Sequence, residues 1–309
     1  MAIITTLITK LIPLYVIILF GYLLGRYSEI NQKTISNLLI NLISPVITFG
    51  YIARAPFNFS TATIPITSLL IGMIMGFSFY HLSKAIFKDS TANLVALAAS
   101  TGNIGYFGIP LFVMLFGDDG LGSYMLAVTG YLFYDYTVGY YFIARGHYDI
   151  RSSLKRVAKL PPMYATLAGL IFSMSSLSIP PLFSDLLTNF RGAFVVLGTL
   201  LVGTSISRLR IESVDWKYLL VTFAGKFVAF PLLALFIIII DQQVLHIYDQ
   251  TFYQILFIFA VVPLMVNVVV FAAHLEVQPE KAAAAVFIST IFALFYIPIC
   301  FILYQMLKF

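Results

Sequence analysis

The amino-acid sequence predicts an all-α polytopic membrane protein, and two observations carry that prediction. Of its 309 residues, 61% are hydrophobic and only 10% are charged, and the mean hydropathy is +0.97. In a soluble domain about a quarter of all residues are charged, and these residues cover its surface in water. The hydrophobic residues also form runs of about 20, the length with which an α-helix crosses a bilayer. Composition therefore excludes a soluble enzyme, a nucleic-acid-binding protein and a disordered chain.

Ten stretches are long and apolar enough to be predicted as transmembrane helices. They cover residues 7–25, 34–53, 63–86, 91–116, 121–144, 161–179, 184–206, 216–240, 251–275 and 282–306. We predict a first five-helix repeat at 1–144, a basic cytoplasmic loop at 145–160 and a second five-helix repeat at 161–309. The single cysteine, Cys300, excludes an internal disulfide and a cysteine-rich metal site.

The distribution of positive charge predicts the orientation. Thirteen of the 18 Lys and Arg residues, Arg208 and Arg210 among them, lie in the connections after the odd-numbered stretches. The positive-inside rule places that side in the cytoplasm. We therefore expect a multi-pass protein of the plasma (inner) membrane with both termini extracytoplasmic. Arg191 is expected at the outer interface, where its long side chain reaches water and could attract anions.

An odd number of helices per repeat would give the two repeats opposite orientations, as in inverted-repeat transporters. Short internal similarities favour this arrangement. Leu-Ile-Pro-Leu-Tyr at 11–15 lies in the first stretch, and Leu-Pro-Pro-Met-Tyr at 160–164 begins the sixth. Pro110 and Pro263 lie at corresponding places in the fourth and ninth stretches.

The fourth stretch is predicted to contain a helix break. Gly102, Gly105, Gly108 and Pro110 fall within nine residues, a composition that is unfavourable inside a helix. The backbone groups freed by such a break must be buried in protein or line a cavity. An alternative is that these small residues only allow close helix packing.

The ninth stretch is also predicted to contain a helix break, because it contains Pro263 and Asn267. Two broken helices would present partly positive half-helix N-termini near the membrane midplane. Such a site suits an anion, with free carbonyls available for a cation. Asn103 and Asn267 are the candidate side-chain ligands, together with the backbone at Gly102, Gly105, Pro110 and Pro263.

Three further residues are candidates for ion coupling or for the transport pathway. Asp135 and Lys226 lie deep in the fifth and eighth stretches, where ionisable side chains are costly and usually functional. A buried Asp135–Lys226 ion pair would give both a structural role instead. Thr101, beside the first break, is a candidate sodium ligand. Protons and sodium both remain open as coupling ions, and no other cofactor is expected.

The residues of the two breaks resemble those of the auxin efflux carrier family, in its short, bacterial-type form. Asn-Ile-Gly-Tyr-Phe-Gly-Ile-Pro-Leu at 103–111 is similar to the family's first crossover. Pro-Leu-Met-Val-Asn at 263–267, followed by 270–280, is similar to the second. Weaker matches lie at 41–49, at 225–226 and at 231–233. The sodium–bile acid symporters share the architecture.

This resemblance implies a scaffold of stretches 1, 2, 6 and 7 and a transport domain built around crossing stretches 4 and 9. It implies elevator-like movement, homodimers formed through the scaffold helices, and organic anions as substrates, either dicarboxylates or auxin-like weak acids. The chain lacks the long middle loop of plant members, and Val268 stands where a second proline is often found. Both departures argue against auxin itself.

The prediction is thus a secondary transporter of small organic anions and not an enzyme. A sodium-coupled bile-acid or organic-anion symporter of the same fold is an alternative, as is an anion channel, because broken helices also build pores. An intramembrane aspartic protease would need two carboxylates in one site. Asp135 is the only acid well inside a stretch.

Overall fold

The structure of the protein, a computed structural model, describes residues 2–55, 61–117, 119–175, 177, 179–207 and 214–307. It is 84% helical, and the described residues contain no β-strand. The protein is therefore an all-helical polytopic membrane protein. Arg208 and Arg210, which contribute to the predicted charge asymmetry, lie outside the described residues.

The helices are numbered α1 to α13 in chain order. Their bounds are α1 Ala2–Tyr27, α2 Gln32–Ala53, α3 Thr63–Ile86, α4 Thr91–Ser100, α5 Ile109–Phe116, α6 Leu121–Tyr134 with its continuation through Asp135–Gly139 and Tyr140–Ala144, α7 Ile150–Ala158, α8 Pro161–Met174, α9 Pro181–Ile206, α10 Trp216–Leu245, α11 Gln250–Val261, α12 Asn267–Leu275 and α13 Pro279–Leu307. Wider π-helical turns interrupt α2, α6 and α10 at Leu39–Ile43, Asp135–Gly139 and Gly225–Ala229.

Helix occupies part or all of each of the ten predicted stretches. By length and composition, five described helices could each cross a membrane: α2, α3, α9, α10 and α13. A sixth candidate results if α7 and α8, which meet at a 48° bend, are counted as one span. The fourth and ninth stretches are each divided into two short helices, α4 with α5 and α11 with α12.

The segment predicted as a loop at 145–160 contains the helix α7. The Asp149 side chain accepts a hydrogen bond from the Ser152 backbone N–H at 3.2 Å and so caps its first turn. The sequence did not predict α7 as a helix, because its many charged residues interrupt any apolar run. The sixth stretch is also shorter than predicted, since α8 ends at Met174.

Helices pack closely where glycines face each other. Gly21 of α1 and Gly203 of α9 lie in contact, so that a Cβ atom added to Gly203 would meet the backbone of Ile18 and Tyr22. Small residues that let two backbones approach are a general means of helix association in lipid. In the same way α8 packs along α2, where Gly169 faces Ile52.

The broken helices lie at the centre of the molecule. Every residue of α4 is buried, as are residues 255–261 of α11. Other helices supply the outer surface, where large apolar side chains such as Leu220, Phe295 and Ile171 are exposed. A helix that is buried on all sides packs on protein and not on lipid, so the two breaks are shielded from hydrocarbon.

A polar cluster connects the ends of three helices by ion pairs. Lys281, in the first turn of α13, forms ion pairs with Asp215 at 2.9 Å and with Asp89 at 3.9 Å. Partial burial alone would raise the pKa of Asp215, but the hydrogen bond from Lys281 and that from the Tyr218 backbone lower it below its ordinary value. This cluster connects the beginnings of α4, α10 and α13.

Candidate functional site

The first helix break separates α4 from α5. Thr101 is extended (φ −129°, ψ 163°), and a π-helical turn at Ile104–Gly108 leads into α5. The Asn103 Oδ1 atom caps this turn by accepting a hydrogen bond from the Phe107 N–H at 3.3 Å. The freed Ile104 carbonyl accepts a hydrogen bond from the Tyr124 hydroxyl at 2.7 Å. Side chains of neighbouring helices thus satisfy the backbone that the glycines release.

The second break spans residues 262–266, between α11 and α12. The Leu264 N–H donates to the Ser289 Oγ at 3.1 Å, so α13 stabilises this break as α6 stabilises the first. The two breaks touch each other directly, because the Asn103 backbone N–H donates to the Pro263 carbonyl at 2.8 Å. The Pro263 carbonyl is therefore occupied by the protein itself.

Lys226 of α10 lies where α4 and α11 both end. Its side chain is fully buried, and its Nζ atom donates to the Phe259 carbonyl, in the last turn of α11, at 2.6 Å. The Nζ atom also lies 4.3 Å from the centre of the Phe230 ring and beside Gly102. Helix C-termini carry partial negative charge and unpaired carbonyls. A Lys side chain in this place satisfies both.

A buried pocket of about 70 Å³ lies beside the two breaks. Its walls come from six parts of the chain: α2, the first break, α6, α9, the second break and the start of α12. The lining residues are Ser44, Ile47, Thr48, Tyr51, Gly102, Asn103, Ile104, Gly105, Val128, Leu132, Asp135, Tyr136, Phe194, Met265, Val266 and Asn267. A water molecule needs roughly 10–15 Å³ measured in the same way, so the pocket has room for several waters or a small solute.

Hydrogen-bond donors converge on this pocket. Because the Asn103 Oδ1 atom is used in the cap, its Nδ2 group, which forms no hydrogen bond to any described residue, is available to a ligand. Asn267 begins α12, and the Tyr136 hydroxyl lies close enough to interact with Asn267, Ser44 and Thr48. Amide and hydroxyl donors from both breaks and from α2 therefore face one small volume.

Asp135 contributes the acidic group of the pocket. It is 3% exposed, and its Oδ1 atom has no hydrogen-bond partner among the described residues. It forms no ion pair with Lys226, so these two residues do not neutralise each other in this structure. Burying an unpartnered carboxylate oxygen is costly, and a proton or a cation beside it would remove that cost.

The structure brings five of the predicted site residues together on the pocket: Gly102, Asn103, Gly105, Asp135 and Asn267. The other four lie nearby but do not line it. Pro263 contributes its carbonyl to the contact between the breaks, and Pro110 lies at the start of α5. Thr101 donates its hydroxyl to the Leu97 carbonyl at 2.9 Å, and Lys226 faces the helix ends.

The sequence did not indicate that α2 and α9 line the pocket. Ser44, Thr48 and Tyr51 of α2 line the pocket, as does Phe194 of α9. Ser44, Thr48 and Tyr51 are spaced by four and three residues and so share one helix face. That polar face in an apolar stretch was the available signal.

An all-helical membrane protein with two touching helix breaks and, beside them, a pocket lined by polar and apolar side chains has the features of a membrane transporter. The comparison with protein families supports this class. The model of the membrane transport protein family matches residues 6–301. The chain therefore belongs to this family, the auxin efflux carrier family, and it is a transporter and not an enzyme.

Relatives from archaea and bacteria are similar over different shares of the chain. It is 25% identical over 295 residues to "uncharacterized transporter MJ1031" of Methanocaldococcus jannaschii, which covers 90% of this chain and 92% of that protein. It is 28% identical over 192 residues to "uncharacterized transporter YfdV" of Escherichia coli, covering 57% of this chain and 61% of YfdV. The names of both relatives state transport without a substrate.

Proposed function

We propose that this protein is a secondary transporter of small organic anions, with carboxylates as the substrate class. The observation that carries the proposal is the pocket where both helix breaks meet a polar face of α2. Its donors are the Asn103 Nδ2 group, the Asn267 amide and hydroxyls of α2, and α12 begins at the pocket with its partial positive charge. A carboxylate accepts hydrogen bonds from such groups.

The size of the pocket favours a small substrate. A volume of about 70 Å³ suits a short mono- or dicarboxylate better than a bile acid. Ile47, Val128 and Leu132 line the rest of the pocket, so a short apolar chain between or beside the carboxylates would be accommodated. Auxin-like weak acids would require the pocket to widen.

Asp135 suggests how the substrate is coupled to a gradient. Two anions in one small buried pocket would repel each other strongly. We therefore propose that Asp135 takes up a proton together with the substrate. The protonated carboxyl would then donate a hydrogen bond to the carboxylate instead of opposing it. Sodium bound at the free Oδ1 atom would serve the same purpose and is the competing form of this proposal.

The proposed movement follows from which helices line the pocket. The α2 and α9 helices, which belong to the proposed scaffold, line the pocket together with α6 and the two breaks, which belong to the proposed transport domain. In the proposed architecture, ten membrane-crossing units form two inverted five-helix repeats, 1–144 and 161–309. The packing of α1 on α9 and of α8 on α2 supports it, because the first and sixth units then make equivalent contacts.

In an elevator-type movement, α3–α6 and α10–α13 would shift together and carry the substrate across the bilayer. The substrate would enter from the extracytoplasmic side of the inner membrane and leave into the cytoplasm. Dimers through the scaffold helices are part of this proposal.

The first experiment identifies the substrate class. Thermal unfolding of the purified protein would be measured with malonate, malate, acetate, indole-3-acetate and a bile acid, at pH 5.5 and 7.5, with and without sodium. A ligand at 100 times its Kd stabilises the native state by about 2.7 kcal/mol. The carboxylate with the largest shift is then used, radiolabelled, for uptake into proteoliposomes.

Two asparagine variants test the pocket. We expect Asn103→Ala and Asn267→Ala each to reduce uptake at least about tenfold, since each removes a hydrogen bond to a charged ligand. Asn189→Ala, on the exposed side of α9, is the matched control and should transport normally. Unchanged uptake by the double variant Asn103→Ala/Asn267→Ala would show that the substrate does not bind there.

The Asp135→Asn variant separates the coupling ions. With proton coupling, uptake by the unsubstituted protein rises as the external pH falls, and the variant loses that dependence while still binding substrate. A requirement for sodium that is lost in the same variant would favour sodium coupling. Unitary currents in planar bilayers, far above carrier turnover, would instead support an anion channel.

A further inference from the structure

A second, smaller cavity lies between α2 and α9 and is lined by two arginines. Its volume is about 60 Å³, and its lining residues are Ile47, Gly50, Tyr51, Arg54, Leu187, Thr188 and Arg191. Ile47 and Tyr51 also line the central pocket, so the two cavities share a wall. Neither arginine was among the predicted substrate ligands.

The two helices present matching faces to this cavity. Ile47, Tyr51 and Arg54 follow one another at spacings of four and three residues along α2, and Arg54 caps its C-terminus. Leu187 and Thr188, four and three residues before Arg191, do the same along α9. Six residues of helix rise by about 9 Å, so Arg54 lies about that distance along the axis from Thr48 in the central pocket.

The positive charge in this cavity is not neutralised by the described part of the protein. Both arginines line the cavity together with Tyr51, whose buried hydroxyl has no hydrogen-bond partner among the described residues. Arg54 donates to the Ser184 Oγ at 2.7 Å, a neutral partner. No described carboxylate forms an ion pair with either arginine. The stretch 56–60 that follows Arg54 in sequence is Pro-Phe-Asn-Phe-Ser and adds no acid.

We propose that Arg54, Arg191 and Tyr51 form a second binding site for a carboxylate, on the path between one face of the membrane and the central pocket. Guanidinium groups bind carboxylates through paired hydrogen bonds, and the Tyr51 hydroxyl supplies a third donor. The site rests on the proposed function, because it serves the same substrate class. It differs from the central pocket in being built entirely by α2 and α9, without residues of either break.

Its place in the pathway follows from its charge. A cleft with two uncompensated positive charges raises the local concentration of anions and their rate of binding. A carboxylate held by the arginines would pass to the Asn103 and Asn267 amides by moving along the Tyr51 face. Because α2 and α9 belong to the proposed scaffold, this site would stay on one side of the membrane during transport.

Equilibrium binding of malonate tests the site without any need for transport. Thermal unfolding is measured in neutral-lipid nanodiscs over a malonate series at constant ionic strength. In the Asn103→Ala background, malonate should still stabilise the protein. Adding Arg54→Gln or Arg191→Gln should weaken the malonate dependence about tenfold, as expected for loss of one charge-assisted hydrogen-bond donor. Arg151→Gln, on the exposed face of α7, is the control and should change nothing.

Several outcomes would overturn the site. One is a malonate dependence that is the same in the Asn103→Ala protein with and without the arginine substitutions. Another is stabilisation by phosphatidylglycerol but not by malonate, which would show that the arginines bind a lipid headgroup. Flux separates this proposal from the proposed function. Loss of transport in Asn103→Ala with intact malonate binding supports both the proposed function and the arginine site. Normal transport in Asn103→Ala, together with arginine-dependent malonate binding, refutes only the central pocket as the substrate site.

Discussion

Adding one methyl group at the first break should have opposite effects at two neighbouring glycines. A Cβ atom at Gly102 would lie 2.7 Å from the Lys226 Nζ atom and 2.8 Å from the Val262 Cγ2 atom, whereas ordinary contacts are 3.4–4 Å. A Cβ atom at Gly105 would have no neighbour within 4 Å. Neither glycine has a positive φ, so alanine is compatible with both backbones.

The magnitude follows from what must move. Lys226 is buried and holds the Phe259 carbonyl at 2.6 Å, and Val262 directly follows α11, so Gly102→Ala forces a shift of about 0.6 Å in packed groups. Overpacking of this kind costs about 1–3 kcal/mol. Alanine offsets about 0.4–1 kcal/mol of this by restricting the unfolded chain. Taken at the midpoints of these ranges, Gly102→Ala should therefore destabilise by about 1.3 kcal/mol, and Gly105→Ala should be neutral or slightly stabilising.

Thermal unfolding of the purified protein at a fixed scan rate measures this difference. At about 2–4 °C per kcal/mol, Gly102→Ala should lower the Tm by several degrees relative to Gly105→Ala. Equal Tm values for the two variants would refute the proposed crowding at the break. Lys226→Met, which ends one atom earlier, removes the closer contact, so Gly102→Ala should cost about 1 kcal/mol less in that background.

Three further predictions concern packing and charge. Tyr134→Phe removes a hydroxyl that is hydrogen-bonded to the buried Ser100 Oγ at 2.7 Å, and it should lower the free energy of unfolding by about 0.5–1.5 kcal/mol in a denaturant titration. Gly130→Ala would place a Cβ atom against the backbone of α3, which has no rotamer to change, so a Tm loss at least as large as that of Gly102→Ala is expected. The lowered pKa of Asp215 means that its contribution to stability is present above its ordinary pKa of 3.8 and is lost as the pH falls through the lowered value. Lys281→Gln should therefore reduce the loss of stability measured between pH 5 and pH 3.

The helical class and the positions of both breaks could be predicted because they depend on local composition. Glycines and a proline within nine residues interrupt the fourth stretch, and the break is found at Thr101 to Asn103. The π-helical turns in α2, α6 and α10 could not be predicted. Leu39–Ile43 contains neither glycine nor proline, and the single glycines of Asp135–Gly139 and Gly225–Ala229 are common in continuous membrane helices as well. Amphipathic α7 was missed because a search for apolar runs does not detect charged helices.

The sequence indicated the pocket-lining residues of the breaks and Asp135 but not those of α2 and α9, and it stays a prediction that the pocket binds substrate. Gly102, Asn103 and Asn267 reach the pocket because the chain around them leaves the helix. Ser44, Thr48 and Tyr51 reach it because α2 happens to pack against both breaks, which is a tertiary fact. Asp135 and Lys226 were both recognised as buried charges. Sequence left open whether they pair, and only the fold shows that each faces a different environment.

That separation of Lys226 from Asp135 gives the proposed mechanism its charge balance. Lys226 donates a hydrogen bond in the last turn of α11, next to the end of α4, where free carbonyls would otherwise attract an external cation. The break region then needs no bound metal ion at that point, and the group left without a partner is Asp135 on the pocket side. Protonation of Asp135 would neutralise that carboxyl group, so the loaded pocket would cross the membrane with only the charge of the substrate instead of the charge of two anions. The arginines on α2 and α9 would attract the anion without joining that movement. In this division of roles the cations lie on three helices, α2, α9 and α10, and the acid of the pocket lies on a fourth, α6.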